Sequence, residues 1–313
     1  MPLHPQIETF LEKFYAAGLP AIHAQTPESA REQMETLVKA RAAEPVEVGS
    51  IENRTIDGPA GPIPVRIYRP STSTTSPLPC VVYFHGGGHV IGSLDTHDSV
   101  GRALCKGADC VVISVDYRLA PEHKFPAAFD DSYAATCWTA ENASSLGIDA
   151  GRLAVAGDSA GANLAAAVAL AARDRDGPAL RLQALVYPVA DYACQSPSYQ
   201  RFAKGYGALE AESMYWFQNH YLRTRADADD WRASPIKAER HDGLPPAIVI
   251  AAGHDVLHDE TIAYADTLRA AGVPVETVEY EGMIHGFFSL APMLDDAVRA
   301  QQAVSEALRR AFT

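Results

Sequence analysis

The chain has 313 residues, 47% of them hydrophobic, and a formal net charge of −13. That length and apolar content are enough for a large buried core and exclude a disordered chain. An acidic chain without a basic stripe excludes nucleic acid as a partner and disfavours anionic membrane surfaces.

The opening residues MPLHPQIETFLEKFY show no basic region and no long apolar run, so no signal peptide is expected. No stretch reaches the roughly 18 uncharged apolar residues of a membrane helix. Ile7, Phe10, Leu11, Phe14 and Tyr15 recur at helical spacing. TPESA predicts a second helix, with Thr26 as N-cap and Pro27 in the first helical position. Residues 46–57 and 64–70 alternate like two paired strands, joined by the turn-rich DGPAGP. The segment STSTTSPLP, 71–79, reads as a loop.

From residue 80 the pattern becomes strand, loop, helix, repeated. Apolar runs at 80–86, 110–117, 152–157, 182–188, 246–253 and 274–280 predict strands. Helices are predicted near 97–107, 128–146, 160–173, 260–271 and 292–311. This alternation specifies an α/β fold: a mostly parallel sheet with helices on both faces. Residues 190–240 carry no strand signal, only the helical run ALEAESMYWFQNHYL. They read as an insertion that forms a cap with the N-terminal helices. The expected division is 1–45 and 190–240 for the cap, with 46–189 and 241–313 as the two parts of the core. The five cysteines, Cys80, Cys105, Cys110, Cys137 and Cys194, are odd in number and show no C-x-x-C spacing. They read as free thiols in a reducing cytoplasm, and a metal site built from them is not expected.

Functional residues of such sheets gather at the carboxyl ends of the strands. HGGGHVIG, DYRLAPEHKFPAA, GDSAG, GHDVLHDE and EGMIHGFF each follow a predicted strand. In GDSAG, Ser159 stands between Gly157 and Gly161 at a strand-to-helix junction. A serine on such an elbow stands clear of the sheet, beside the positive end of the next helix. Gly-rich turns with a serine N-cap are common, so the pentapeptide gains weight from its surroundings. The N–H of Ala160 and those of the 85–88 glycines could receive a developing oxyanion. A phosphate loop would carry Lys-Ser/Thr after its glycines, where His89-Val90 stand. A serine needs a base and the base an orienting acid. His285 and Asp255 follow the last two strands, in the order Ser159, Asp255, His285. His254, His258 and Asp259 compete by position. His85 reads as a structural hydrogen-bonder. Arg118 and Glu122 are expected to pair and hold their loop, which Pro121 and Pro126 stiffen.

HGGG at 85–88, DYRLAPEHKFPAA at 116–128, GDSAG at 157–161, HDVLHDE at 254–260 and HGF at 285–287 occur in one order over most of the chain. With them the chain resembles the bacterial hormone-sensitive-lipase-like (family IV) carboxylesterases of the α/β-hydrolase superfamily. The resemblance implies an α/β-hydrolase core with an α-helical cap and carboxylic ester hydrolysis without cofactor or metal. It maps a triad onto Ser159, Asp255 and His285 and an oxyanion hole onto the N–H groups of Gly87, Gly88 and Ala160. It also suggests a homodimer. The chain departs from the family at Val256, where proline is frequent, and at His89, where a bulky or aromatic residue is usual. His89, Tyr187, Tyr215 and Trp216 are expected at the substrate pocket. The charged segment RTRADADDW is unlike an apolar lipase lid, so soluble short- to medium-chain esters are the expected substrates. An amidase on the same triad and a ligand receptor built on a retired hydrolase are the rival readings. The presence of His285 argues against the receptor.

Overall fold

Eight strands form one sheet: β1 (Ser50–Gly58), β2 (Gly61–Arg69), β3 (Leu78–Phe84), β4 (Val111–Val115), β5 (Ile148–Asp158), β6 (Leu180–Val186), β7 (Ala247–His254) and β8 (Val275–Ile284). Their spatial order is β1-β2-β4-β3-β5-β6-β7-β8. The computed structural model describes residues 2–41, 43–71, 77–207 and 209–313. Residues 72–76 of the expected 71–79 loop therefore lie outside the described residues. β1 and β2 form a hairpin closed at Gly58 and Gly61, and β2 pairs antiparallel with β4. Every other pairing is parallel.

Ten helices are described: α1 (Pro5–Ala16), α2 (Pro27–Ala40), α3 (Asp98–Ala108), α4 (Ala127–Glu141), α5 (Ala143–Leu146), α6 (Ala160–Asp174), α7 (Ser198–Arg201), α8 (Ala211–Tyr221), α9 (His258–Ala270) and α10 (Asp295–Phe312). Thr26 Oγ1 accepts the N–H of Ser29, so the predicted cap of α2 is formed. The helix expected over 128–146 breaks at Asn142. Its amide turns back onto the Trp138 carbonyl, a local bond that competes with helix continuation. α10 starts at Asp295 instead of 292, with Asp295 and Asp296 in its first turn, where negative charge is favourable.

The sheet separates two apolar layers, as the side-chain period of two requires. In β5, Leu153 and Val155 face one layer and Ala154 and Ala156 the other. α3 and α10 are half-exposed helices that bury one stripe. α6 is different: residues 160–172 are all buried. A helix enclosed on all sides needs small side chains, which explains its run of alanines.

The strand order reverses between β3 and β5. β4 lies on one side of β3, and β5 to β8 run out in the other direction. Such a switch point opens a crevice beyond the carboxyl ends of the two strands. HGGG follows β3 and Ser159 follows β5, so both face that crevice.

The loop 116–126 acts as a saddle between layers. Arg118 pairs with Asp131 of α4 through two bonds of 2.8 Å. Glu122 pairs instead with Arg31 of α2, again through two bonds, of 2.7 Å. The expected Arg118–Glu122 pair is thus replaced by two longer-range pairs, because each side chain meets a helix packed on its own side of the loop. Lys124 Nζ donates to the Asn219 and Leu222 carbonyls at the C-terminal end of α8, where a cation is favoured. Arg31 also donates to the carbonyls of Val90 and Ala120, both at 2.8 Å. One guanidinium therefore ties an N-terminal helix to the glycine loop. Truncating Arg31→Ala leaves those carbonyls and Glu122 without it and is expected to cost about 1–3 kcal/mol. Urea unfolding measures this, and an unchanged midpoint and slope would show that the clasp adds nothing.

Candidate active site

Ser159 has φ 55° and ψ −120°, a strained conformation for a residue with a side chain. The flanking glycines explain how the turn closes. A methyl group on Gly161 would sit 1.9 Å from the Phe84 carbonyl oxygen. One on Gly157 would sit 2.3 Å from the backbone of Gly161. Strand and helix approach so closely that only glycine fits at either place. Ser159 N–H donates to the Val186 carbonyl at the end of β6, which fixes the elbow against the sheet.

The other two members of the predicted set arrive through register. His254 of β7 pairs with Ile284 of β8. One residue further along each chain are Asp255 and His285, so the pairing brings them side by side. His285 Nδ1 lies 2.6 Å from Asp255 Oδ2, and His285 Nε2 lies 2.9 Å from Ser159 Oγ. Asp255 is 2% exposed, and its other oxygen accepts the Leu257 N–H at 2.9 Å. The Tyr187 ring, with its centroid 4.5 Å away, backs the imidazole. This set can carry a proton from a serine hydroxyl to an imidazole whose far nitrogen faces a carboxylate.

His254, His258 and Asp259 are engaged elsewhere. His258 bridges Asp259 at 3.0 Å and Glu279 at 2.8 Å, and Asp259 also pairs with Arg201. His254 packs between the rings of Phe202 and Tyr206.

The glycine loop lies across the switch point from the elbow. The N–H groups of Gly87, Gly88 and Ala160 donate to no backbone carbonyl among the described residues. Asp158 turns away from Ser159 and beneath this loop, where its carboxylate accepts the Gly86 N–H at 3.0 Å and the Tyr83 hydroxyl. Burial penalises that charge, but His97 and Tyr83 outweigh the penalty and hold the carboxyl below its ordinary range. His85 is fully buried, stacked on Tyr117 at 4.4 Å.

Of the four expected pocket residues, Tyr187 lies against the base. His89 is fully buried, stacked on Tyr221 at 3.9 Å, so it is not an open pocket wall. Tyr215 is 39% exposed and stacks on Tyr199. Trp216 is half-buried and donates to the Gln25 carbonyl ahead of α2. From the same run, Phe217 reaches the loop: a methyl on Gly88 would sit 2.2 Å from its ring. Helical rotation explains the difference, since residues two apart lie about 200° apart around the axis. The buried stripe Met214, Phe217, Tyr221 was the available signal. Arg31 is a second residue that sequence reasoning missed, and a partner 91 positions away leaves no local pattern.

A family model described as alpha/beta hydrolase fold matches residues 81–289. An ethyl acetate hydrolase of Pseudomonas putida is 40% identical over 99% of both chains. The carboxylic ester hydrolase LipN of Mycobacterium tuberculosis is 42% identical over 90% of this chain and 75% of its own. A hyperthermophilic esterase from the archaeon Pyrobaculum calidifontis superimposes with a TM-score of 0.94, at 42% identity over 99% of both chains. The chain belongs to this α/β-hydrolase family, in its hormone-sensitive-lipase-like group, and is a carboxylic ester hydrolase by class. No helix among the described residues is long and apolar enough to cross a membrane.

Two loop histidines make a test of this geometry. Burial lowers the pKa of both His85 and His89 to about 3. Each is neutral in the folded protein and takes up a proton only on unfolding once pH falls below the ordinary value of about 6.5. Their contribution to stability is therefore complete above that value and is lost as pH falls toward 3. Each should remove about 1.4 kcal/mol per pH unit across that interval. Urea unfolding in steps below neutral pH checks this, and His89→Phe should reduce the slope by one histidine's share. A stability that stays flat over that range contradicts the assignment.

Proposed function

We propose that this chain hydrolyses soluble short- to medium-chain carboxylic esters through an acyl-enzyme on Ser159. The observation that carries the reading is the continuous chain Ser159 Oγ, His285, Asp255, with contacts of 2.9 and 2.6 Å. His285 Nε2 takes the hydroxyl proton as Ser159 Oγ attacks the ester carbonyl. Asp255 holds the tautomer and stabilises the imidazolium that forms. The negative charge on the former carbonyl oxygen is received by the N–H groups of Gly87, Gly88 and Ala160, at the positive end of α6. The tetrahedral adduct collapses, and His285 protonates the departing alkoxide. Water, deprotonated by the same imidazole, then attacks the acyl group and releases the acid.

The N-terminal helices and residues 190–240 form the cap over this site. Hydrogen bonds among the described residues join them, Trp216 to Gln25 at 3.1 Å, Gly207 N–H to the Tyr15 hydroxyl at 3.1 Å, and His23 to Ser213 at 3.4 Å. The cap segment is laced with ion pairs, Arg223–Asp227 and Arg232–Asp230 among them, which suits dissolved substrates more than an oil surface. Five free cysteines, four of them buried, fit a reducing cytoplasm.

Hydrolysis of p-nitrophenyl esters from acetate to palmitate tests the reading. Turnover should peak at short or medium acyl chains. Ser159→Ala should lower kcat by roughly 10⁴-fold or more. A Ser159→Ala protein as active as the parent sinks the mechanism, and a peak at palmitate sinks the substrate assignment. Parallel rates on a matched amide decide between esterase and amidase.

A further inference from the structure

The side chain of His89 joins three segments one residue away from Gly88. Its Nδ1 lies 2.7 Å from the Tyr192 hydroxyl, on the segment that leaves β6. Its ring stacks on Tyr221 of α8, nearly parallel at 10°. Its Nε2 is buried and has no hydrogen-bond partner among the described residues, and the same holds for Oδ1 of Asn163 in the first turn of α6, whose Nδ2 donates to the carbonyls of Val189 and Ala233, each at 2.7 Å. The φ of 61° at His89 and the bond from Ala120 N–H to its carbonyl hold the backbone of the same residue.

We infer that His89 is a positioning residue: it sets the Gly87–Gly88 N–H groups relative to the Ala160 N–H by bracing the glycine loop against the Tyr192 hydroxyl and the Tyr221 ring. This rests on the reading of those three N–H groups as the oxyanion site. A phenyl ring at this position would fill the space and keep the stacking but could not take up the Tyr192 hydroxyl. Burial keeps the imidazole neutral, so the brace holds across the working pH range. The side chain is fully buried, so its removal should act on the transition state alone.

The test compares Tyr192→Phe, His89→Phe and His89→Gln with the parent on p-nitrophenyl butyrate, together with inhibition by a trifluoromethyl ketone, whose serine adduct places an oxyanion in the site. His89→Phe and Tyr192→Phe should each lower kcat about tenfold and weaken the ketone by the same factor, with KM within about twofold. His89→Gln, which keeps a donor and an acceptor, should recover part of the loss. The double variant His89→Phe/Tyr192→Phe should be no worse than His89→Phe alone, because both remove one interaction. If His89→Phe fails to fold, Tyr192→Phe decides, since it removes a single hydroxyl. Unchanged kcat and ketone affinity in variants of lowered stability overturn the inference, as does a raised KM with a shifted chain-length optimum. If Ser159→Ala is as active as the parent, the underlying mechanism falls as well. If turnover requires Ser159 and the His89 and Tyr192 variants match the parent, only this inference falls.

Discussion

Gly161 lies against the carbonyl of Phe84 with no room for one methyl group. That backbone-to-backbone contact sets the geometry around it. It lets α6 start directly above the ends of β3 and β5, so the helix N-terminus points into the switch-point crevice. It also makes the elbow sharp enough to hold Ser159 in a conformation that most residues avoid. The strain persists because the surroundings determine it from several sides: Ser159 N–H on Val186, Asn163 N–H on the Ser159 carbonyl, and α6 buried along its length.

Around this contact the structure places polar groups where a protein interior normally excludes them. Asp158 and Asn163 beside the elbow, His85 and His89 in the glycine loop, and His97 at the start of α3 are all buried. Buried polar groups are costly unless they are satisfied, and a satisfied network rigidifies its surroundings. Here some of the partners are backbone groups of the loop itself, and among the described residues His85 Nε2, His89 Nε2 and Asn163 Oδ1 have none. Asp158 takes the Gly86 N–H, and the Tyr117 hydroxyl donates to the His85 carbonyl. The glycines that make the loop accessible also make it floppy, and the polar network beneath it compensates.

Long-range bonds tie α2 to the same loop and join the other outer segments to one another. Arg31 reaches Val90 from α2, Lys124 reaches the end of α8, and Glu260 accepts the N–H groups of Ala190 and Asp191 where the chain leaves the core. Burial raises the Glu260 carboxyl well above its ordinary range. Each of these bonds spans 59 or more residues of sequence. The Arg31 bond thus ties α2 directly to the loop that faces Ser159.

The sequence by itself determined the strands and helices of the core, because the periodicity of buried side chains is local. It also determined the order and identity of Ser159, Asp255 and His285 as candidates, since each follows a strand end and functional loops collect there. Thr26 and Pro27 marked the start of α2 for the same local reason. Only the tertiary structure decided which side chains meet across layers. Arg118 and Glu122 lie four apart, yet they find Asp131 and Arg31, because partners in space are chosen by packing of helices on opposite sides of a loop. His89 looked like a wall of the pocket from its place after HGGG, but the fold buries its ring against Tyr192 and Tyr221. Phe217 and Tyr215 differ by two positions and by most of a half-turn, so the run that contains both identifies a helix without saying which residue faces the loop. The docking of α8 against Gly88 settles that, and docking depends on contacts that no single segment encodes.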